Sequence, residues 1–300
     1  MIQSRKKGDY LEMTVPDSWK GLSIEALLRQ KWQAPKKMVH EWRMEKAILL
    51  NGEAMPWSTE MNPNDKLMLP VFKGHDSDVI PTYMDLMVLY EDEHLLILNK
   101  PAGIETHPSH PRQTDSLLNG VAYLMEIQGE QGEFRHIHRL DQDTTGAILF
   151  SKHALAGALL QRMLDAREIK RTYKALVHGE CPKNGTISAN IGKDRHHATR
   201  RRVSPTGQAA VTHYRTLQYD RQKKWSLIEC TLDTGRTHQI RVHLSSIGHP
   251  LAGDRLYGGT PIFPRQALHA AKLEFVHPLT EEALVIEAPY IDEPAIFPHS

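Results

Sequence analysis

One carboxylate stands where chemistry is possible. Asp141 follows His138-Arg139-Leu140 and leads into Thr144-Thr145-Gly146, after which the apolar run over 147–150 has strand character. The pattern sets a single acid on a loop at the mouth of a sheet, where a rigid scaffold can present it. An ionised carboxylate there can serve as a nucleophile or as a general base. An Asp before a Thr-Thr-Gly turn has a plainer use, bonding its own backbone. Two further segments decide between these.

Within 170–179, Arg171, Tyr173, Ala175 and Val177 share one face of a period-two strand. A Tyr flanked by cations suits a ring that meets a base beside phosphates. An interior aromatic on a half-buried strand is the commoner fate of such a residue. Within 234–258, Arg236, His238, Arg241 and His243 interleave with Ile240, Val242 and Leu244. The alternation predicts a strand over 239–244, with Arg241 and His243 on its open face. An Arg fork there points to a carboxylate or phosphate partner. Gly248-His249-Pro250 and Ala252-Gly253-Asp254 read as tight turns.

Together with LLILNKPAGIETHPS over 95–109, these segments resemble, in order, the motifs of the RluA/RluD family of pseudouridine synthases, which isomerise uridine in ribosomal and transfer RNA. The resemblance runs over roughly residues 86 to 290. It implies that Asp141 is the catalytic aspartate, Tyr173 the active-site tyrosine and Arg241 the arginine that pairs with the aspartate. Thr145 stands where the family more often has Ser, and keeps the hydroxyl. The stretch HHATRRRVSPTG, ending at Gly207, is more basic and less regular than the family's usual sequence.

The implied reaction breaks the uracil N1–C1′ bond, turns the base and rejoins it through C5, with no cofactor. Asp141 either attacks C1′ or removes the C2′ proton; the sequence leaves both routes open. Tyr173 would stack on the base. Arg139, Lys170 and Arg171 are candidates to hold flanking phosphates, with Arg200, Arg201, Arg202, Lys36 and Lys37 as further RNA contacts. The hydroxyls of Thr144 and Thr145 are expected to bond their own loop. A glycoside hydrolase would need a second placed carboxylate, and the nearest acid is Asp143, two residues on. A non-catalytic RNA-binding protein also fits the basic clusters. Large-subunit ribosomal RNA is the expected substrate, with transfer RNA the alternative.

Something must position these groups. Residues 12–73 read as a small α+β module. Leu22, Leu27, Leu28 and Trp32 form an amphipathic helix; Pro35 takes the first position of a second helix carrying Val39, Trp42 and Arg43. A strand over 47–50 enters a turn at Asn51-Gly52, and another covers 66–72. The module resembles a divergent S4-type RNA-binding module, with Pro35-Lys36-Lys37 replacing the usual Ser-Arg start. A cap that touches no RNA is the other reading. Residues 74–82 form a linker. Residues 83–300 form the synthase domain, with strands over 95–99, 146–150, 172–178, 210–217 and 225–232 and helices over 116–126 and 154–165. That is an α+β domain on a mainly antiparallel mixed sheet flanked by helices and loops, as the resembled family has.

The 300 residues are 40% hydrophobic and 24% charged, ordinary for one or two globular domains. Formal net charge is only +1, so any nucleic-acid footprint must be local. No Lys or Arg follows Lys272, which concentrates positive charge upstream. Cys181 and Cys230 form no CxxC pair, which argues against a disulfide framework or zinc site and for a reducing cytoplasm. Eighteen histidines include no HExxH spacing, and no metal is expected. No signal peptide or membrane-length apolar run is seen. The expectation is a cytoplasmic monomer whose partner is RNA, with no membrane and no obligate protein partner.

Overall fold

The structure is a computed structural model and describes residues 2–74, 78–130 and 132–298. Its N-terminal part is an antiparallel sheet of β1 (Ser4–Lys7), β2 (Tyr10–Thr14), β3 (Leu49–Leu50) and β4 (Lys66–Leu69), in the order β1-β2-β4-β3. Two helices cover it. The first, α1 (Ile24–Ala26), is capped by Ser23 Oγ, which accepts the Ala26 N–H at 3.1 Å. It runs on as a π-helical turn, Leu27–Lys31. The wider turn lets Leu27, Leu28 and Trp32 all face inward, and all three are buried. The second helix is α2 (Lys36–Met44). Pro35 is its N-cap, with extended backbone, and not its first helical residue.

The apolar core of this part does not stop at its own boundary. It includes Leu155, Leu159 and Leu279 from the rest of the chain. Phe72 stacks on His94 and meets His153 edge-on at 5.4 Å. Ile2 N–H donates to Thr280 O at 2.9 Å, and Lys31 pairs with Glu281 at 3.0 Å. A protein lacking residues 1–73 should therefore lose stability even if it stays folded. Each uncovered leucine loses about 1.5–3 kcal/mol of burial. A thermal melt equal to that of the whole chain would show that this contact carries no energy. In the linker, His75, Asp76 and Ser77 lie outside the described residues. Its far end is pinned: Thr82 N–H donates to Asn119 O, and Asn119 Nδ2 donates to Ile80 O.

The other part is built on a ten-stranded sheet. Its strands are β5 (Met87–Glu91), β6 (Leu95–Lys100), β7 (Arg135–His136), β8 (Thr145–Ser151), β9 (Lys170–His178), β10 (Asn184–Ser188), β13 (Val211–Asp220), β14 (Trp225–Leu232), β15 (Leu268–Val276) and β16 (Ala283–Glu287). The main path is β10-β13-β14-β9-β15-β8-β6-β5, with β7 and β16 attached to β8 and β15. A separate hairpin joins β11 (Ile191–Lys193) to β12 (Arg201–Val203). The pairings are antiparallel except β15 with β8, where His269 faces Thr145 and Ala270 faces Gly146. At that crossing Gly146 has φ +111° and the Ala270 backbone fills the space a Cβ would need. Both β6 and β8 are buried along their whole length, as strands covered on both faces must be. The covering helices include α3 (Leu117–Ile127), with a Ser116/Asn119 capping box, and α4 (Ala154–Asp165).

One element differs in kind from the sequence expectation. Residues 239–244 are not a strand but lie in a helix, α5 (Gln239–Ser246). All of Gln239 to Leu244 are buried, so no polar face betrays the helical period. The polar members are satisfied individually. Gln239 Nε2 donates to Val211 O, and His243 lies 2.9 Å from both Thr212 Oγ1 and Ala189 O. Among the described residues no helix is long and apolar enough to cross a membrane.

Candidate active site

Asp141 sits on the loop between β7 and β8, and that loop is held from below. Lys100, fully buried at the end of β6, donates from Nζ to the carbonyls of Pro101, Gln142 and Thr144 at 2.7–3.1 Å. Burial pushes its pKa down to about 7 against the pull of Asp143 and Asp141. Thr106 Oγ1 donates to Leu140 O at 3.0 Å. Arg265, clamped by Asp292, donates to Asp143 O and to Thr145 Oγ1. The threonine hydroxyls thus bond distant elements and not their own loop. Thr145 Oγ1 is also 2.8 Å from His269 Nδ1, and Thr144 Oγ1 accepts from Gln266 Nε2.

The Asp141 side chain is 17% exposed, and its Oδ2 accepts from Arg241 Nη1 at 3.0 Å. Arg241 spends its bidentate fork elsewhere. Nε and Nη2 donate to the two oxygens of Asp254 at 2.7 and 2.9 Å. Asp254, read from sequence as a turn residue, is buried and fixes the arginine that reaches Asp141. The Tyr257 ring lies 5.0 Å from the guanidinium. Burial opposes the Arg241 charge, but Asp254 and Asp141 outweigh it and raise its pKa further.

Asp141 opens on a cavity of about 590 Å³ shared by Tyr173, Arg171, Arg139, His238 and Arg241, a volume that suits a small ligand. Tyr173 is more buried than a half-buried strand would leave it, at 4% exposure. Burial raises its phenol pKa, which keeps the proton on oxygen near neutral pH. Arg139 is exposed at the rim. Arg171 is buried, and its Nε has no hydrogen-bond partner among the described residues.

The other candidate cations scatter. Lys170 does not line the cavity and pairs with Glu274 at 3.3 Å. Arg200, Arg201 and Arg202 belong to the β11–β12 hairpin, which touches the site's edge. Arg201 N–H donates to Tyr257 Oη at 2.8 Å, and the Arg200 guanidinium lies 5.7 Å from the same ring. Lys36 and Lys37 open α2, far along the chain from Asp141. Lys37 lines a groove of about 890 Å³ beside α2; His136, Ile137 and Gln161 line both this groove and the cavity. Arg167 and Arg236, which the sequence offers only as members of basic stretches, also line the cavity. Asp143 does not line the cavity, and its carbonyl is taken by Arg265.

Comparison with known proteins gives the class. Residues 94–246 match the RNA pseudouridylate synthase family model, and residues 11–67 match the RluD ribosomal pseudouridine synthase N-terminal domain. An uncharacterised RNA pseudouridine synthase of Bacillus subtilis (strain 168) is 46% identical over 95% of each chain. Ribosomal large subunit pseudouridine synthase D of Nitrosomonas europaea is 36% identical, over 97% of this chain and 88% of that one. Among solved structures, human RNA pseudouridylate synthase domain containing 1 superposes with a TM-score of 0.57 at 26% identity, covering 69% of this chain and 84% of that one. The chain belongs to the RNA pseudouridine synthase family. It is an isomerase that acts on RNA, built on the α+β fold of that family.

Proposed function

We propose that this protein converts specific uridines of large-subunit ribosomal RNA to pseudouridine, with Asp141 as the catalytic carboxylate. The observation that carries the chemistry is the Asp141–Arg241–Asp254 chain at the cavity mouth. Arg241 stabilises the Asp141 charge and fixes the carboxylate's direction. Asp141 then either attacks C1′ or takes the C2′ proton; either step releases the base. Tyr173 stacks on the freed ring, since its phenol is protonated and makes a poor base. Extruding a base costs a few kcal/mol, least in unpaired RNA, and Arg139 and Arg171, which line the cavity, would hold it by its phosphates.

The ribosomal assignment is supported by the several relatives named ribosomal large subunit pseudouridine synthase D. Residues 12–73 act as an S4-like RNA-gripping module, 74–82 as linker and 83–300 as the catalytic domain, in a cytoplasmic monomer. Pseudouridine mapping in cells with and without the protein tests the target. A ribosomal position that loses its modification and regains it on complementation supports the reading. Loss confined to transfer RNA moves the target there.

The grip itself has a salt signature. Lys36→Ala with Lys37→Ala, and separately Arg200→Ala with Arg202→Ala, should weaken RNA binding without changing turnover at saturation. Each lost phosphate contact should flatten the slope of log K against log salt by about 0.7–0.9. An unchanged slope in the first pair would mark the N-terminal part as a cap that touches no RNA.

A further inference from the structure

Isomerisation leaves one proton to be moved. C5 loses a proton once it is bonded to C1′, and N1 gains one. On the covalent route Asp141 is bonded to C1′ until the C5–C1′ bond forms and is then held by Arg241, and Tyr173 keeps its own proton. Two other histidines line the cavity, and among the described residues neither comes as near the Asp141 carboxylate oxygens as His238 does. His138 is buried, with Nε2 accepting the Leu149 N–H, and His136 stacks on His107 at 4.5 Å.

His238 is different. It lines the cavity, and its Nε2 lies 3.9 Å from Asp141 Oδ2. That is close enough for both to reach one nucleoside, and too far for Nε2 to be spent on the carboxylate. Its Nδ1 lies 2.8 Å from Tyr257 Oη, which also accepts the Arg201 N–H. A hydroxyl oxygen has two lone pairs, enough for both donors. The backbone adds an independent sign. His238 is the N-cap of α5 in the left-handed region, φ 58° and ψ 21°, and its side chain makes no capping bond. A residue with a Cβ held there stores strain, which collects at functional sites. The ring lines the cavity, held at Tyr257, and makes no bond to the helix end. Asp141, Arg241, Asp254 and Arg201 face it. Burial lowers its pKa, with Asp141 pulling the other way, so the imidazole is neutral near pH 7.

We propose that His238 is a catalytic residue that carries the proton from C5 to N1. This rests on the placement of Asp141 as the group that acts on the sugar. With Nδ1–H donated to Tyr257 Oη, Nε2 is a free base. On the covalent route, the detached uracil anion attacks C1′ through C5, and the Asp141–C1′ bond breaks with its electron pair returning to the carboxylate. Nε2 takes the C5 proton, the C–H pair restores the C5=C6 bond, and negative charge returns to N1. The imidazolium then protonates N1. Imidazole and carboxylate are both regenerated, and no outside acid or base is consumed.

His238→Asn tests this, because Asn tolerates the left-handed backbone but cannot carry a proton. The substrate is RNA from cells lacking this protein, carrying either protium or deuterium at uridine C5. Such RNA holds the target whichever species bears it, so an error in the ribosomal assignment leaves the test intact. The variant should turn over about 10²–10⁴-fold more slowly. A deuterium isotope effect larger than that of the unaltered protein should appear, because C5 deprotonation now limits the rate. Tyr257→Phe, which removes the acceptor that sets the tautomer, should give a smaller loss with the same isotope signature. Near-normal turnover in a folded His238→Asn protein overturns the proposal. So does slow turnover with no larger isotope effect in both variants, which would mark His238 as structural. An error about Asp141 would show separately, as activity in Asp141→Asn.

Discussion

Asp141→Asn protein should fold, bind RNA and make no pseudouridine. Asn is nearly isosteric, and its Oδ1 can still accept from Arg241 Nη1, which now sits 3.0 Å from the carboxylate. Arg241 keeps its stronger partner, Asp254, so no buried charge is stranded. What is lost is the ability to attack C1′ or accept a proton. Removing such a group costs about 10³-fold or more. Tritium release from C5-labelled uridine measures it directly. Release above about one per cent of the normal rate in a folded variant would remove Asp141 from the catalytic role.

Arg241→Lys carries a double penalty although the charge is kept. The fork now satisfies both oxygens of Asp254, which is 2% exposed, and still sends a third nitrogen to Asp141. An ammonium is a point donor on a flexible stem and cannot copy that planar arrangement. Partly stranding a buried carboxylate should cost about 3 kcal/mol of stability. Turnover should fall by about 10²-fold, because a loosely aimed nucleophile loses much of the advantage of orientation. Urea denaturation and single-turnover rates separate the two losses. Asp254→Asn should fail to add to Arg241→Lys in both readouts, since the pair acts as a unit. Full additivity, or a Lys variant with normal rate and midpoint, would leave Arg241 as a cation of no special geometry.

The sequence made some of this legible and hid the rest for physical reasons. Asp141, Tyr173 and Arg241 stood out because their segments follow one another in the order of the motifs of the resembled family. Strands β6 and β8 were readable as unbroken apolar stretches. Helix α5 was not. Ile240, Val242 and Leu244 alternate with Arg241 and His243, and a helix buried from Gln239 to Leu244 has no wet face there to reveal its period. Asp254 was hidden by its neighbours, since Ala-Gly-Asp is an ordinary turn in one dimension. Its partner lies 13 residues back. Strands β1 and β2 carry mixed charge; Arg5 and Lys7 find Glu12 only after the hairpin closes. The left-handed backbone of His238 has no sequence mark at all.

The leucines that join the two parts of the chain also bear on how a target is chosen. Leu155, Leu159 and Leu279 sit in the same apolar cluster as Leu27, Leu28 and Trp32. An interface closed by such a cluster does not hinge freely, because close-packed side chains resist sliding. The distance from the lysines of α2 to Asp141 is then a fixed gauge and not an adjustable reach. If Lys36 and Lys37 hold RNA as proposed, an RNA that engages both must present its uridine at that one span from the second contact. Folds with the right local sequence but the wrong spacing would then be rejected by geometry alone, with no base-specific contact needed.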